Sequence, residues 1–415
     1  MSGIGRTAGR LGGLAVALGA GAAIAAAPAA WASSEDTGGS AQAPQRASRS
    51  DPGHSGTAVK RPVARAAGAR SQSPVRTESP VGAHRGGAGA AVSKAVAAQN
   101  RLMLTPTGQG LYPLDSGNTG AAELSGIAHA GGSTYYAVGD DGAPAIWQLT
   151  TELAAGFGWV NTGVVSAGIS APALGPDSEG IAMAPDRGTA WVSDEISSTI
   201  SEFSLTTGDK VGEVAVPQIY RPANVANNMG LEALTYGAGM LWAANEEALK
   251  SDGPQSSTAS GSWVRIQQFT GEDLAPAVQF AYRTDPITAM SPFITVERSG
   301  LVDLLALPDG RLLSLERELG GYLPYFRSRI YELDLTAASD VSALPSLSAG
   351  GFTPVGKNLL WQSVFLASNF EGITLGPRLA DGTYGVLLIS DDGTGQAGQR
   401  QDLYSLVLRG VTAPV

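Results

Sequence analysis

The chain has 415 residues, a formal net charge of −10, no cysteine and three histidines. Disulfides, thiolate metal sites and a cysteine nucleophile are therefore excluded, and a multi-histidine zinc site is excluded from the globular part, where His129 stands alone. The charge is uneven, +7 over residues 1–100 and −17 over residues 101–415, so the acidic part repels phosphate backbones and attracts cations, and nucleic acid is not an expected partner.

Arg6 and Arg10 precede an apolar run from Leu11 to Ala30, and Ala30-Trp31-Ala32 has the form of an A-x-A cleavage site. Residues 1–32 thus read as a secretory signal peptide, which predicts a secreted or envelope-associated protein with no membrane span after cleavage. Residues 33–100 are rich in Ala, Gly, Ser, Pro and Arg, with almost no large apolar side chains. Such a segment buries too little to offset its ordering entropy, so a disordered, mildly basic spacer is expected. A short helix near Val92 to Asn100 is the only helix suggested.

From Leu102 onward, strand-like runs alternate with Gly/Pro/Asp turns, and residues 101–415 read as one all-β domain. Asp177-Ser178-Glu179-Gly180-Ile181-Ala182-Met183, the turn Pro185-Asp186-Arg187-Gly188, and Ala190-Trp191-Val192-Ser193-Asp194-Glu195 form a hairpin with acids at one edge. The unit recurs. Glu123 to Ala128 leads to Gly139-Asp140-Asp141, and Gly230-Leu231-Glu232 to Asn245-Glu246-Glu247. Ser299 to Leu305 leads to Leu315-Glu316-Arg317, and Asn369-Phe370-Glu371-Gly372 to Ser390-Asp391-Asp392. Copies spaced by roughly 50–70 residues predict a β-propeller. Five blades follow directly. A sixth would fit between Glu232 and Asp303 or between Arg317 and Glu371, and Leu111 to Leu114 could supply a closing strand beside the last C-terminal strands.

The first strand of a propeller blade lines the central channel, so these hairpins deliver carboxylates to one rim. Glu179, Asp194, Glu195, Glu232, Glu246, Glu247, Glu316, Glu371, Asp391 and Asp392 are the candidates. Acids so close together need compensation, either from backbone N–H groups or from a hard cation with oxygen ligands, for which calcium suits the irregular geometry. Arg221, Arg317, Arg329, Lys357 and Arg378 are the basic residues near the hairpins; each pairs an acid or holds an anionic substrate group. Gly351 to Asn358 nearly spells a P-loop, but Asn358 stands where Ser or Thr must be, with no βαβ context. His129 reads as a structural histidine.

Asp177-Ser178-Glu179-Gly180-Ile181-Ala182, Asn228 to Leu234, Leu305 to Arg317, and Asn369-Phe370-Glu371-Gly372-Ile373 with Ser390-Asp391-Asp392 together resemble the phytase-like family, also called "esterase-like activity of phytase". The resemblance spans roughly residues 120–410. It implies a secreted bacterial β-propeller with acids serving phosphoester hydrolysis, and it points to Glu179, Glu232, Glu246, Glu316, Arg317, Glu371, Asp391 and Asp392. The chain departs from the family pattern at Gly393, where Asn is frequent, and at Ser125, which replaces an acid. The resulting expectation is a monomeric, calcium-dependent hydrolase of small phosphorylated substrates. Its catalytic residues are Glu371, Asp391 and Glu316; its substrate contacts are Arg317, Arg329, Lys357 and Arg221; its metal ligands are Glu179, Glu232, Glu246, Asp194 and Asp392. The other reading is a non-catalytic propeller that is stabilised by calcium and binds a ligand or partner.

Overall fold

The computed structural model describes residues 101–412, apart from 141–142, 152–162, 186–187, 289–296, 321–324 and 394–398. The expected signal peptide, the spacer and the short helix near Val92 lie outside the described residues. Within them the secondary structure is strands, turns and two single 3-10 turns, at Gln218–Tyr220 and Pro222–Asn224.

The strands form five four-stranded antiparallel blades among the described residues. The first is β2 (Leu124–Gly131), β3 (Thr134–Gly139), β4 (Ala145–Thr150) and β5 (Gly163–Ser170), after β1 (Met103–Asp115). The second is β6 (Ser178–Ala184), β7 (Thr189–Asp194), β8 (Thr199–Ser204) and β9 (Lys210–Val214). The third is β10 (Leu231–Gly237), β11 (Met240–Asn245), β12 (Trp263–Thr270) and β13 (Ala275–Arg283). The fourth is β14 (Glu297–Ala306), β15 (Leu312–Gly320), β16 (Tyr325–Asp334) and β17 (Gly356–Leu366). The fifth has only β18 (Asn369–Arg378), β19 (Tyr384–Asp391) and β20 (Asp402–Arg409) from its own stretch of chain. Its outer strand is β1, antiparallel to β20 from Met103↔Arg409 to Pro113↔Asp402. The expected closing strand is thus present, and the first stretch of the domain locks the last.

The inner strands β2, β6, β10, β14 and β18 contact one another in a closed ring. Five apolar clusters fill the five gaps between neighbouring blades. Because each blade is covered on both faces, a second strand can be buried along its length rather than at alternate residues: β7, β11 and β19 are buried at every residue after the first.

Among the described residues, the long intervals that left room for a sixth blade hold loops and no further sheet. Asp252, Arg265, Gln279 and Tyr220 tie these loops to the third blade. Arg265 is fully buried, its Nε 2.6 Å from Asp252 and its Nη1 2.6 Å from the Gln279 side-chain oxygen. A guanidinium so buried is tolerable because its donors are bidentately paired.

The channel narrows at one level. A Cβ on Gly126 would lie 2.1 Å from the Glu179 carbonyl, and one on Gly372 would lie 2.3 Å from that of Ser125. The fourth blade has Asp303 at the matching register position. Its buried carboxylate accepts the N–H of Leu304 at 2.8 Å, of Ile373 in the fifth blade at 2.8 Å and of Leu234 in the third at 3.4 Å. Beyond this waist, a cavity of about 210 Å³ opens on the far face, lined by the later residues of the inner strands, His129 and Thr374 among them. The His129 ring nitrogen lies 3.1 Å from the Gly132 carbonyl, and burial lowers its pKa.

Candidate functional site

The acids gather at the end where the inner strands begin. All five inner strands carry a register shift at the same place, between Leu124/Gly126, Ser178/Ile181, Leu231/Ala233, Leu301/Asp303 and Phe370/Gly372. The extra residue of such a bulge leaves the ladder and its side chain is re-aimed. The extra residues are Ser125, Glu179, Glu232, Val302 and Glu371, and the three glutamates are buried.

A second ring comes from the residue that follows, on each second strand, the partner of the last inner-strand position before the bulge. Asp140 N–H donates to Glu123 O, Glu195 to Asp177 O and Glu246 to Gly230 O. The same register puts Arg317 opposite Gly300 and Asp391 opposite Asn369. The ring therefore reads Asp140, Glu195, Glu246, Arg317, Asp391: four acids and one arginine. Arg317 Nη2 sits 2.7 Å from Glu371 and 3.2 Å from Glu246.

Carboxylate oxygens lie within 4.8 Å of one another in three groups: Glu123, Asp140 and Asp391; Asp140, Asp177 and Glu179; Glu179, Glu195 and Glu232. Apart from Glu123, none of these acids forms an ion pair among the described residues. Asp140 Oδ1, Asp177 Oδ2 and Asn369 Oδ1 are buried without a hydrogen-bond partner. Asn369 Nδ2 donates to Glu371 at 2.9 Å and to Asp391 at 3.2 Å, which leaves that amide oxygen pointing elsewhere. Unsatisfied buried oxygens are rare and call for a missing partner. An all-oxygen set of this kind fits a hard divalent cation, with calcium tolerating its irregularity.

Burial, then mutual repulsion, drives these carboxyls above their ordinary range. Asp140 rises to about 9; for Glu179, Glu195 and Glu232 the same two causes apply, Glu232 and Asp140 repelling Glu179. Burial takes Glu371 to about 8 against the pull of Arg317, and Asp177 to about 6 against hydrogen bonds. Unfolded Asp and Glu titrate near 4, so between about pH 5 and 9 the folded chain holds more protons than the unfolded one, and stability falls as pH rises. A bound cation displaces those protons. The cation-free protein is expected to melt at progressively lower temperature from pH 5 to pH 9. Calcium should raise the melting temperature more at pH 8 than at pH 5. An equal calcium shift at both pH values would show that the acids titrate independently of any cation.

The remaining candidates sit elsewhere. Asp194, one residue before the ring position, turns away and accepts Ser197 N–H at 2.7 Å. Asp392 accepts Glu123 N–H at 2.9 Å, and Glu247 accepts Ser256 N–H at 3.1 Å. Glu316 precedes Arg317 and so points to the opposite face of its blade. There it meets Lys357 Nζ at 2.7 Å and Tyr282 OH at 2.5 Å. Lys357 also pairs Asp285 at 2.6 Å and lies 4.4 Å from the Tyr331 ring centroid. Arg329 Nη2 holds Glu318 at 2.5 Å. Arg221 is exposed between the two 3-10 turns. Glu123, Asp140, Asp177 and Asn369 were not singled out as site residues from the sequence. Aligning the five hairpins on their glycine-apolar cores would have found Asp140, which falls in one column with Glu195, Glu246 and Asp391.

Fold and site together define a five-bladed propeller with an acidic, cation-ready channel mouth. The chain belongs to the phytase-like family: the family model described as "Esterase-like activity of phytase" matches residues 119–394. No curated protein matches it. Distant likenesses among solved structures include the glutaminyl cyclase of Myxococcus xanthus, at 12% identity and a TM-score of 0.35 over 74% of this chain and 97% of that one. A carbohydrate-active enzyme of family AA12 from Trichoderma reesei has 10% identity and a TM-score of 0.33 over 74% and 98%. A chain of a nidogen/laminin complex has 12% identity and a TM-score of 0.32 over 76% and 99%. No helix among the described residues is long and apolar enough to cross a membrane.

Proposed function

We propose that this chain is an exported, calcium-dependent phosphoester hydrolase whose site is the acidic channel mouth. The observation that carries the reading is the set of buried acids with unpartnered oxygens in a phytase-like propeller. Glu123, Asp140, Asp391, Glu179, Glu195 and Glu232 would hold the cation charge. Once bound, such cations neutralise a phosphate and lower the pKa of a bound water. Glu371, whose carboxyl titrates at about 8, would take the proton of the attacking water, and Asn369 would orient it. Arg317 would hold a phosphate oxygen while keeping Glu371 and Glu246 in place. Glu316, Lys357 and Arg329 would shape the fourth blade beside the mouth, and Glu246 would position Arg317.

The test uses protein recovered from the culture medium with its N-terminus after Ala32. Mono-, di- and inositol phosphates are assayed with calcium and with chelator. Hydrolysis should need calcium, Glu371→Gln should lower kcat by about 10²–10⁴-fold, and Arg317→Ala should mainly raise KM. Bound calcium without hydrolysis of any substrate would instead establish a calcium-stabilised binding propeller.

A further inference from the structure

The outer strand of a blade has a free edge, a row of backbone N–H and C=O groups that proteins shield with charges, proline, bulges or a covering segment. β9 carries Lys210 and Glu213. β13 contains Pro276, and a later loop covers it: Val341 N–H donates to Gln279 O at 2.8 Å and Val355 N–H to Ala281 O at 2.9 Å. β5 is tied to β1 at Leu114↔Gly163 and Asp115↔Val164, and β1 contains Pro106 and Pro113. β17 uses none of these devices over Trp361–Leu366. No proline and no charged residue occurs from Asn358 to Phe370. Its bulge, at Leu360, precedes the regular ladder that runs from Ile330↔Trp361 to Tyr325↔Leu366. Among the described residues no strand pairs with its outer side.

The same stretch is apolar at its surface. Of the eight exposed large apolar side chains among the described residues, four lie on β16 and β17: Tyr325, Leu359, Val364 and Leu366. Leu366 is the cross-strand partner of Tyr325, and Val364, two residues earlier, shares its face. On the other face Trp361 and Phe365 are buried in the cluster against the fifth blade, so the edge is held in place before anything meets it. β17 runs toward the channel mouth, because Ser363 lies in one row with Ser328, Arg317 and Gly300. A second copy added antiparallel to this edge is therefore inverted, and the two acidic mouths open in opposite directions. Two domains of charge −17 can then meet along an uncharged strand, with charges beyond about 10 Å screened by salt.

We propose that the free edge of β17 is an interface between two copies of this chain, paired antiparallel about Val364, in place of the monomer expected from the sequence. The two-fold axis sets Val364 opposite itself, Leu366 opposite Gln362 and Phe365 opposite Ser363, which keeps every pair on one face of the sheet. One sheet then runs from β14 of one copy to β14 of the other, and Val364, Leu366 and Tyr325 of both form a single apolar strip across the junction. A pairing of five residues is only about 17 Å long, at the small end of specific interfaces, so the dimer is reversible and concentration-dependent.

The test is sedimentation velocity of the full chain over a range of protein concentrations, with calcium and with chelator. A monomer–dimer equilibrium is expected in both, since the interface uses none of the channel acids. Val364→Lys and Val364→Glu should each be monomeric, because like charges then face each other across the axis. Their melting temperatures should stay near that of the wild type, Val364 being 44% exposed. An equal mixture of the two variants should form the dimer again, with Lys facing Glu. A wild type that is monomeric at every concentration overturns the proposal and would mean that the edge is covered from within the chain or left to water. A dimer that survives both substitutions overturns it by placing the interface elsewhere. Two monomeric variants that stay apart when mixed overturn the pairing about Val364.

Discussion

A chain that begins after Asp115 is expected not to fold. It loses β1, and with it Leu102 and Leu104 from the cluster between the fourth and fifth blades and Tyr112 and Leu114 from the cluster between the fifth and first. Full burial of such a side chain contributes about 1.5–3 kcal/mol, so four of them account for roughly 6–12 kcal/mol. That is as large as the whole stability of a typical domain, about 5–15 kcal/mol. The truncation also bares the backbone of β20, which pairs with β1 over most of its length, and an unpaired edge invites aggregation. The expected result is insoluble protein, or a soluble chain with no cooperative melt. A sharp thermal transition near that of the full chain would mean that the fifth blade is stable with three strands.

Asp303→Ala is expected to cost about 3–6 kcal/mol. The substitution leaves the N–H groups of Leu234, Leu304 and Ile373 without their acceptor, and each buried donor left unsatisfied costs about 1–3 kcal/mol. Relief of burying the acid offsets part of this, since burial pushes its carboxyl well above the ordinary range against the pull of those three N–H bonds. Asp303→Asn keeps an oxygen for one side but turns an amide N–H toward the other, so it should fall between the wild type and Asp303→Ala. Urea unfolding measures both. A loss under about 1 kcal/mol for Asp303→Ala would show that water replaces the carboxylate and that the waist is not held by it.

The five acidic hairpins and the closing role of Leu111 to Leu114 were legible in the sequence, because apolar runs broken by turn residues report strands directly. What was not legible is one residue of register. Asp194 and Glu195 look interchangeable in sequence, as do Asp391 and Asp392, yet successive strand residues face opposite ways, and only Glu195 and Asp391 join the carboxylate groups. The bulges decide the same question on the inner strands: without them Glu179, Glu232 and Glu371 would be paired ladder residues. A bulge has no compositional signature in β10, where the extra residue is Glu232 between Leu231 and Ala233. Glu316 and Arg317 divide for the same reason, one serving the gap toward Tyr282 and the other the channel. Asp303 stands where glycine stands in β2, β6 and β18, and a single chain gives no hint that an acid there bridges three blades.

Five copies of one hairpin around an axis would present five equal sides to anything entering along it, and a ligand could settle in any of five equivalent poses. The fourth blade removes that degeneracy. With Val302 and Arg317 where the third and fifth blades carry Glu232 and Glu371, and Glu246 and Asp391, the rim has a positive charge on one side and acids around the rest. For a molecule with a charge at one end, approaches along the axis would then differ in energy, a heading that the five-fold repeat alone could not supply.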